Sequence, residues 1–96
     1  MEKLLDLDAT AQIQRLKSKE ISSKELMEAT LDQIDSTNPK VNAIVSLQER
    51  ESLLNTAEKN YKGPLYGLPV AIKDLEETNG IITTFGSPIF KDYKPN

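Results

Sequence analysis

The sequence predicts an α/β chain, helices first and strands after, on three observations. Through Asn60 there is no glycine and a single proline, and charges are dense. From Tyr61 onward come all four glycines and four of the five prolines. Two apolar runs, residues 41–46 and 68–73, have the length and flanking turn residues of buried strands. Residues 1–60 therefore read as mainly helical and residues 61–96 as strand and loop.

A first helix is expected from Ala9 to Lys17. Asp8 is suited to cap it, and Ile13 with Leu16 supplies an apolar side at i, i+3 spacing. The second helix is better marked. Ser22 and Glu25 have capping-box spacing, and Ile21 before the cap and Leu26 after it can form a hydrophobic staple. Leu26, Met27, Thr30, Leu31 and Ile34 then repeat at three- and four-residue intervals as one apolar stripe, which reads as core rather than as a partner groove. Asn38-Pro39 is expected to end this helix, because proline pushes the preceding residue out of helical backbone. Its length would then be roughly 24 Å. Residues 41–46 read as a buried strand. Ser46 and Glu49 repeat the capping-box spacing and introduce a third helix to about Asn60. Its inner side is expected to hold Leu53, Leu54 and Ala57, with the Arg50 stem lying along it.

Missing residue types exclude much chemistry. Histidine, cysteine and tryptophan are absent from the 96 residues. That removes a Ser-His-Asp triad, a thiol nucleophile, a disulfide frame and a Cys/His zinc site. A hydroxyl activated by a carboxylate or a lysine remains, and no cofactor or metal is implied. Apolar residues make up 38%, low for a self-sufficient core, so modest stability is expected. The net charge of −3 argues against nucleic-acid or membrane partners. Lys17, Lys19 and Lys24 interleave with Glu20 and Glu25 as a solvated helix face. Residues 1–8 lack the pattern of a signal peptide. The longest apolar stretch, Leu68-Pro-Val-Ala-Ile72, is far short of the roughly 20 residues of a membrane span. A soluble, cytoplasmic protein is expected.

The segment that can carry chemistry is Gly63-Pro-Leu-Tyr-Gly-Leu-Pro-Val-Ala-Ile-Lys-Asp74. Gly63-Pro64 and Gly67 are turn residues, and a strand over 68–73 follows. Alternation would send Leu68, Val70 and Ile72 toward a core, and Pro69, Ala71 and Lys73 to the other face. From pattern alone, Lys73 reads first as the solvated end of a strand. The role of a base has a condition. A lysine must fall from about 10.4 toward about 7, roughly 4.6 kcal/mol at about 1.36 per unit. Burial beside apolar groups supplies that much, whereas exposure does not.

Downstream, Asn79-Gly80 marks a reverse turn. Thr83, Thr84 and Ser87 are hydroxyls near glycine, suited to turn and strand roles or to lining a polar pocket. Glu76 and Glu77 are sequence neighbours that face opposite ways in a strand, so they read as solvated rather than as an acid/base pair.

At Gly67-Leu-Pro-Val-Ala-Ile-Lys-Asp74 the sequence resembles the amidase signature family. Four further segments fall in that family's order and approximate spacing: Ile21-Ser-Ser-Lys-Glu-Leu26, Asn38-Pro-Lys-Val-Asn-Ala43, Gly63-Pro-Leu-Tyr-Gly67 and Thr83-Thr-Phe-Gly-Ser-Pro88. The last is more similar to general amidases than to aminoacyl-tRNA amidotransferase A subunits. Leu75-Glu-Glu77 departs from the Asn-(Ile/Leu/Val) that commonly follows the lysine motif.

The resemblance implies a fold whose strands join a large mixed sheet, and a hydrolase that cleaves amides through a Ser–cis-Ser–Lys triad. The family's motif lysine falls on Lys73. Unprotonated, it takes a proton from the cis-serine, which relays one from the nucleophilic serine. That serine attacks the amide carbonyl, and water or another amine resolves the acyl-enzyme. Backbone amides of a glycine-rich loop hold the oxyanion. In the family both serines lie downstream of the lysine, past the point corresponding to Asn96, and Ser87 belongs to a different motif. The expectation is thus an N-terminal fragment (residues 1–96) of a single amidase domain. It would supply Lys73 and be inactive alone, with the remainder of that domain and a small-molecule amide as partners. The alternative is a non-catalytic helical binding module or truncated homologue, carried by the capped amphipathic helices. In either case an unpaired strand edge at 68–73 would favour self-association.

Overall fold

Side-chain caps decide where the first two helices begin. In the computed structural model, which describes residues 4–59 and 61–96, the Asp8 carboxylate accepts from the Ala11 N–H at 2.8 Å. This opens α1, Ala9–Lys17, as predicted. A 3-10 turn, Leu4–Asp6, precedes it. Gln12 ties that turn on, its side-chain amide donating to the Leu4 carbonyl at 2.8 Å. After α1, Lys19 takes a left-handed φ of 65°, and the Glu20 and Ile21 amides fold back onto the Arg15 carbonyl. The chain is turned into α2, Ser23–Val41. Here Ser22 and Glu25 close the predicted capping box: the hydroxyl accepts from the Glu25 N–H and the carboxylate from the Ser22 N–H, both at 3.0 Å.

The expected end of this helix at Asn38-Pro39 is corrected, because α2 runs through Pro39 to Val41. The Asn38 side chain supplies the reason. Its amide donates to the Ile44 carbonyl at 2.9 Å and accepts from the Ile44 N–H at 2.8 Å. Those two bonds hold residue 38 in backbone that a following proline disfavours. Asn42, left-handed at φ 50°, then closes the helix with its N–H on the Asn38 carbonyl. The same bonds remove the strand predicted over 41–46. Both backbone groups of Ile44 are engaged by Asn38, and residues 42–49 have no regular structure. Asn38→Ala is expected to destabilise the chain by about 1–3 kcal/mol, since it orphans two part-buried backbone groups. Denaturant unfolding measures the loss, and faster amide exchange at Ile44 locates it.

The third helix, α3, spans Arg50–Ala57 and starts without a side-chain cap at Glu49, so the Ser46–Glu49 box does not form. Arg50 sets its position instead. The guanidinium bridges Asp32 at 2.7 Å and Asp35 at 3.3 Å, two carboxylates one turn apart on α2. Arg50 is therefore exposed and turned to α2, not laid along the core side. Lys24 pairs with Glu58 at 2.7 Å and ties the other end. These pairs lie in solvent, where screening leaves them to orient the helices more than to stabilise them. The predicted extension of α3 to Asn60 falls outside the described residues. Leu16 of α1, Leu26 and Leu31 of α2 and Ala57 of α3 are buried, with Leu53 and Leu54 half-buried beside them.

The α/β class, with strands in a mixed sheet, is also corrected. The described residues hold three α-helices and no strand, and one isolated antiparallel bridge joins Thr78 and Ile81. Residues 68–73 have no regular structure and make no ladder bonds with any described segment. A strand is stabilised by its neighbours, and this one has none here. Val70 and Ile72, expected in a core, stand 64% and 55% exposed. The Cα radius of gyration is 14.5 Å, against about 12.5 Å for a compact chain of this length. The accessible surface is 7114 Å², about 1,600 Å² above the roughly 5,500 Å² of a compact monomer of 10.7 kDa.

Segment 61–96 is held by point contacts rather than by a sheet. The Ser23 hydroxyl, at the start of α2, donates to the Gly67 carbonyl at 2.6 Å. Gly67 has φ 88°, and a Cβ there would come within 2.8 Å of Ser23 Oγ and 3.1 Å of the Tyr61 ring. Tyr61 is itself fixed, its hydroxyl donating to the Thr56 carbonyl at 2.7 Å. Gly67→Ala combines left-handed strain with that clash and should cost about 1–3 kcal/mol in a thermal or urea melt. Further on, the Gly80 N–H reaches the Pro95 carbonyl and the Thr83 N–H the Tyr93 carbonyl, both at 2.9 Å. Phe85, Phe90 and Tyr93 gather with ring centroids 5.1–6.4 Å apart.

Candidate functional site

Lys73 closes the irregular apolar run that leaves the Gly67 turn. Its side chain is exposed, and its carbonyl accepts from the Glu76 N–H at 3.0 Å, which starts the next turn. The apolar neighbours expected around it are present but unpacked, since Val70, Ile72 and Leu75 are all more than half exposed. The burial that a lysine base needs is therefore not supplied by the described residues. Two open grooves, of about 340 and 760 Å³, are not lined by Lys73, and Thr84 borders the larger.

Beside Lys73 the structure builds something the sequence pattern does not reveal. Asp74, half-buried, accepts from the Thr84 N–H at 2.8 Å through Oδ1 and from the Thr84 hydroxyl through Oδ2. The main chain of Asp74 is held as well, its carbonyl accepting from the Phe85 N–H at 3.1 Å. The Gly86 N–H in turn donates to Thr84 Oγ1 at 3.2 Å. The Thr84 hydroxyl, then the Thr84 N–H, hold the Asp74 carboxyl below the ordinary carboxylate range; the Gly86 N–H adds to this and partial desolvation opposes it. The available signal was the hydroxyl-glycine turn ten residues downstream, which carries no mark of its partner.

The sign of the resulting pH effect is fixed. A carboxyl whose pKa is depressed by folding contributes stability above its unfolded value, about 3.9, and that contribution fades as pH falls through the folded value. Melts of the wild type and of Asp74→Asn should therefore show the wild type losing more stability than the variant below about pH 4. Parallel acid limbs would contradict this.

The other hydroxyls take turn roles. Thr83 is buried and donates to the Ile81 carbonyl at 3.2 Å. Ser87 accepts from the Ile89 N–H at 3.3 Å and caps the 3-10 turn Pro88–Phe90. Glu76 and Glu77 are both exposed. Glu77 accepts from the Tyr93 hydroxyl at 2.8 Å, and that bond pushes the phenol pKa up. Among the described residues no helix is long and apolar enough to cross a membrane.

Comparison with known proteins gives these positions a context. The family model described as Amidase matches residues 25–96, which include most of α2, Lys73 and the Asp74–Thr84 clasp. The chain is 40% identical over 96 residues to the A subunit of the glutamyl-tRNA(Gln) amidotransferase from Carboxydothermus hydrogenoformans, covering 93% of this chain and 20% of that protein. It is 36% identical over 87 residues to an acylamidase of Rhodococcus erythropolis, covering 83% and 18%. It is 35% identical over 94 residues to an amidase of Pseudomonas putida, covering 92% and 20%. Relatives of both kinds thus match. No solved structure gives a significant match. The chain spans about a fifth of the length of the curated relatives it matches. With three-quarters of its residues matched by the family model, the chain belongs to the amidase family.

Proposed function

We propose that residues 68–74 deliver the base lysine, Lys73, of a Ser–cis-Ser–Lys amidase, and that both serines come from the larger remainder of an amidase domain. One observation carries this: Lys73 ends an apolar segment, inside the matched residues 25–96, whose Val70 and Ile72 stand exposed. A lysine serves as a base near neutral pH only when desolvated. Enclosing residues 68–75 on both sides with further protein would pack Val70, Ile72 and Leu75 and exclude water from Lys73. The surface excess of about 1,600 Å² is about twice the roughly 800 Å² that one partner contributes to a standard interface. In this reading Lys73 draws the proton from the cis-serine, which draws it from the nucleophilic serine as that serine attacks a small-molecule amide. No cofactor takes part, and the setting is the cytoplasm, which cell fractionation tests.

The chemical test is a chimera in which this chain replaces the matching fifth of the Pseudomonas putida amidase. Amide hydrolysis by the chimera, with none by the 96-residue chain alone, is the expected result. A folded chimera without turnover, or turnover by the chain alone, contradicts it.

A further inference from the structure

We propose that Asp74 is a positioning residue for Lys73: bound by the Thr84 N–H and hydroxyl, and through its own carbonyl by the Phe85 N–H, it fixes the backbone from which the lysine projects. This rests on the lysine reading above and deepens it. Among the described residues, residue 73 has no strand neighbour to hold it, and its carbonyl accepts from the Glu76 N–H within the same turn. The clasp reaches ten residues along the chain. It joins the end of the apolar segment to the Thr84–Gly86 turn through both the side chain and the main chain of one residue.

The receiving turn is built to hold. Phe85 and Gly86 are consecutive left-handed residues, φ 53° and 72°. A bulky side chain at positive φ is unfavourable by itself and persists only where its surroundings over-determine it. Asp74 fixes the turn from one side, and the Phe90 and Tyr93 rings pack on Phe85 from the other, at 5.1 and 6.4 Å. Lys73 is thereby carried on a braced frame, while its amine remains outside the clasp and free to meet a proton donor.

The test uses Asp74→Ala, Thr84→Val and Thr84→Ser, in the full 96-residue chain and in the chimera. In the chain, ¹⁵N relaxation reads the Lys73 amide. An order parameter of about 0.85 is expected for the wild type and Thr84→Ser, and below about 0.6 for the other two. In the chimera, Asp74→Ala and Thr84→Val should lower kcat about tenfold or more with KM unchanged, and Thr84→Ser should restore it. If Lys73 stays as ordered and kcat as high in both Asp74→Ala and Thr84→Val as in the wild type, the positioning role is overturned. If Lys73→Met leaves the chimera active, the lysine reading fails, and the relaxation result alone still decides whether Asp74 holds residue 73.

Discussion

Lys73→Met in the chimera is expected to lower kcat by about 10²–10⁴-fold while leaving KM close to its starting value. Methionine keeps the length and apolar stem of the side chain and removes the only group that can accept a proton. The loss corresponds to roughly 3–5 kcal/mol of transition-state stabilisation, the scale of a positioned general base. Lys73→Arg should not rescue it, because a guanidinium stays protonated at any working pH and cannot act as a base. Steady-state amide hydrolysis checks both variants. Rescue by arginine would point to charge, not proton transfer, as the contribution of this position.

Leu26→Ala should destabilise the 96-residue chain by about 2–5 kcal/mol and lower the melting temperature by roughly 10–30 °C. Leu26 has no exposed surface, and Leu16 and Leu31 are buried as well. The effect is large because the total is small. Four residues make up the buried apolar core among the described residues, and a chain of this length has only about 5–14 kcal/mol to lose. Val41→Ala is the control. Val41 is 60% exposed at the end of α2, and its loss should stay within about 0.5 kcal/mol.

What was legible in the sequence is what a single helical turn decides. The Asp8 cap and the Ser22–Glu25 box bond within their own first turns, so spacing alone placed the starts of α1 and α2. The same Ser-x-x-Glu spacing at Ser46–Glu49 led to a wrong start, because α3 is positioned by Arg50 reaching Asp32 and Asp35, 18 and 15 residues back. Pro39 gave a wrong end for a related reason. Its local preference is overridden by the Asn38 amide bonding Ile44 six residues on. The strands failed on a different ground. Alternation in 68–73 is a property of the segment, but pairing needs a partner, and the described residues provide none. The resemblance located the family through its motifs and Lys73 among them, yet the Asp74–Thr84 clasp beside it spans ten residues and has no pattern of its own.

Catalysis in this reading depends on Lys73 changing from an exposed side chain in this chain to a desolvated base when the rest of an amidase domain covers residues 68–75. A crystal structure of the active chimera tests that directly. The expected result is Lys73 Nζ out of solvent and within about 2.6–3.2 Å of a serine hydroxyl, the reach of a proton-transfer partner. Lys73 still in solvent, with no serine hydroxyl in reach, would contradict it.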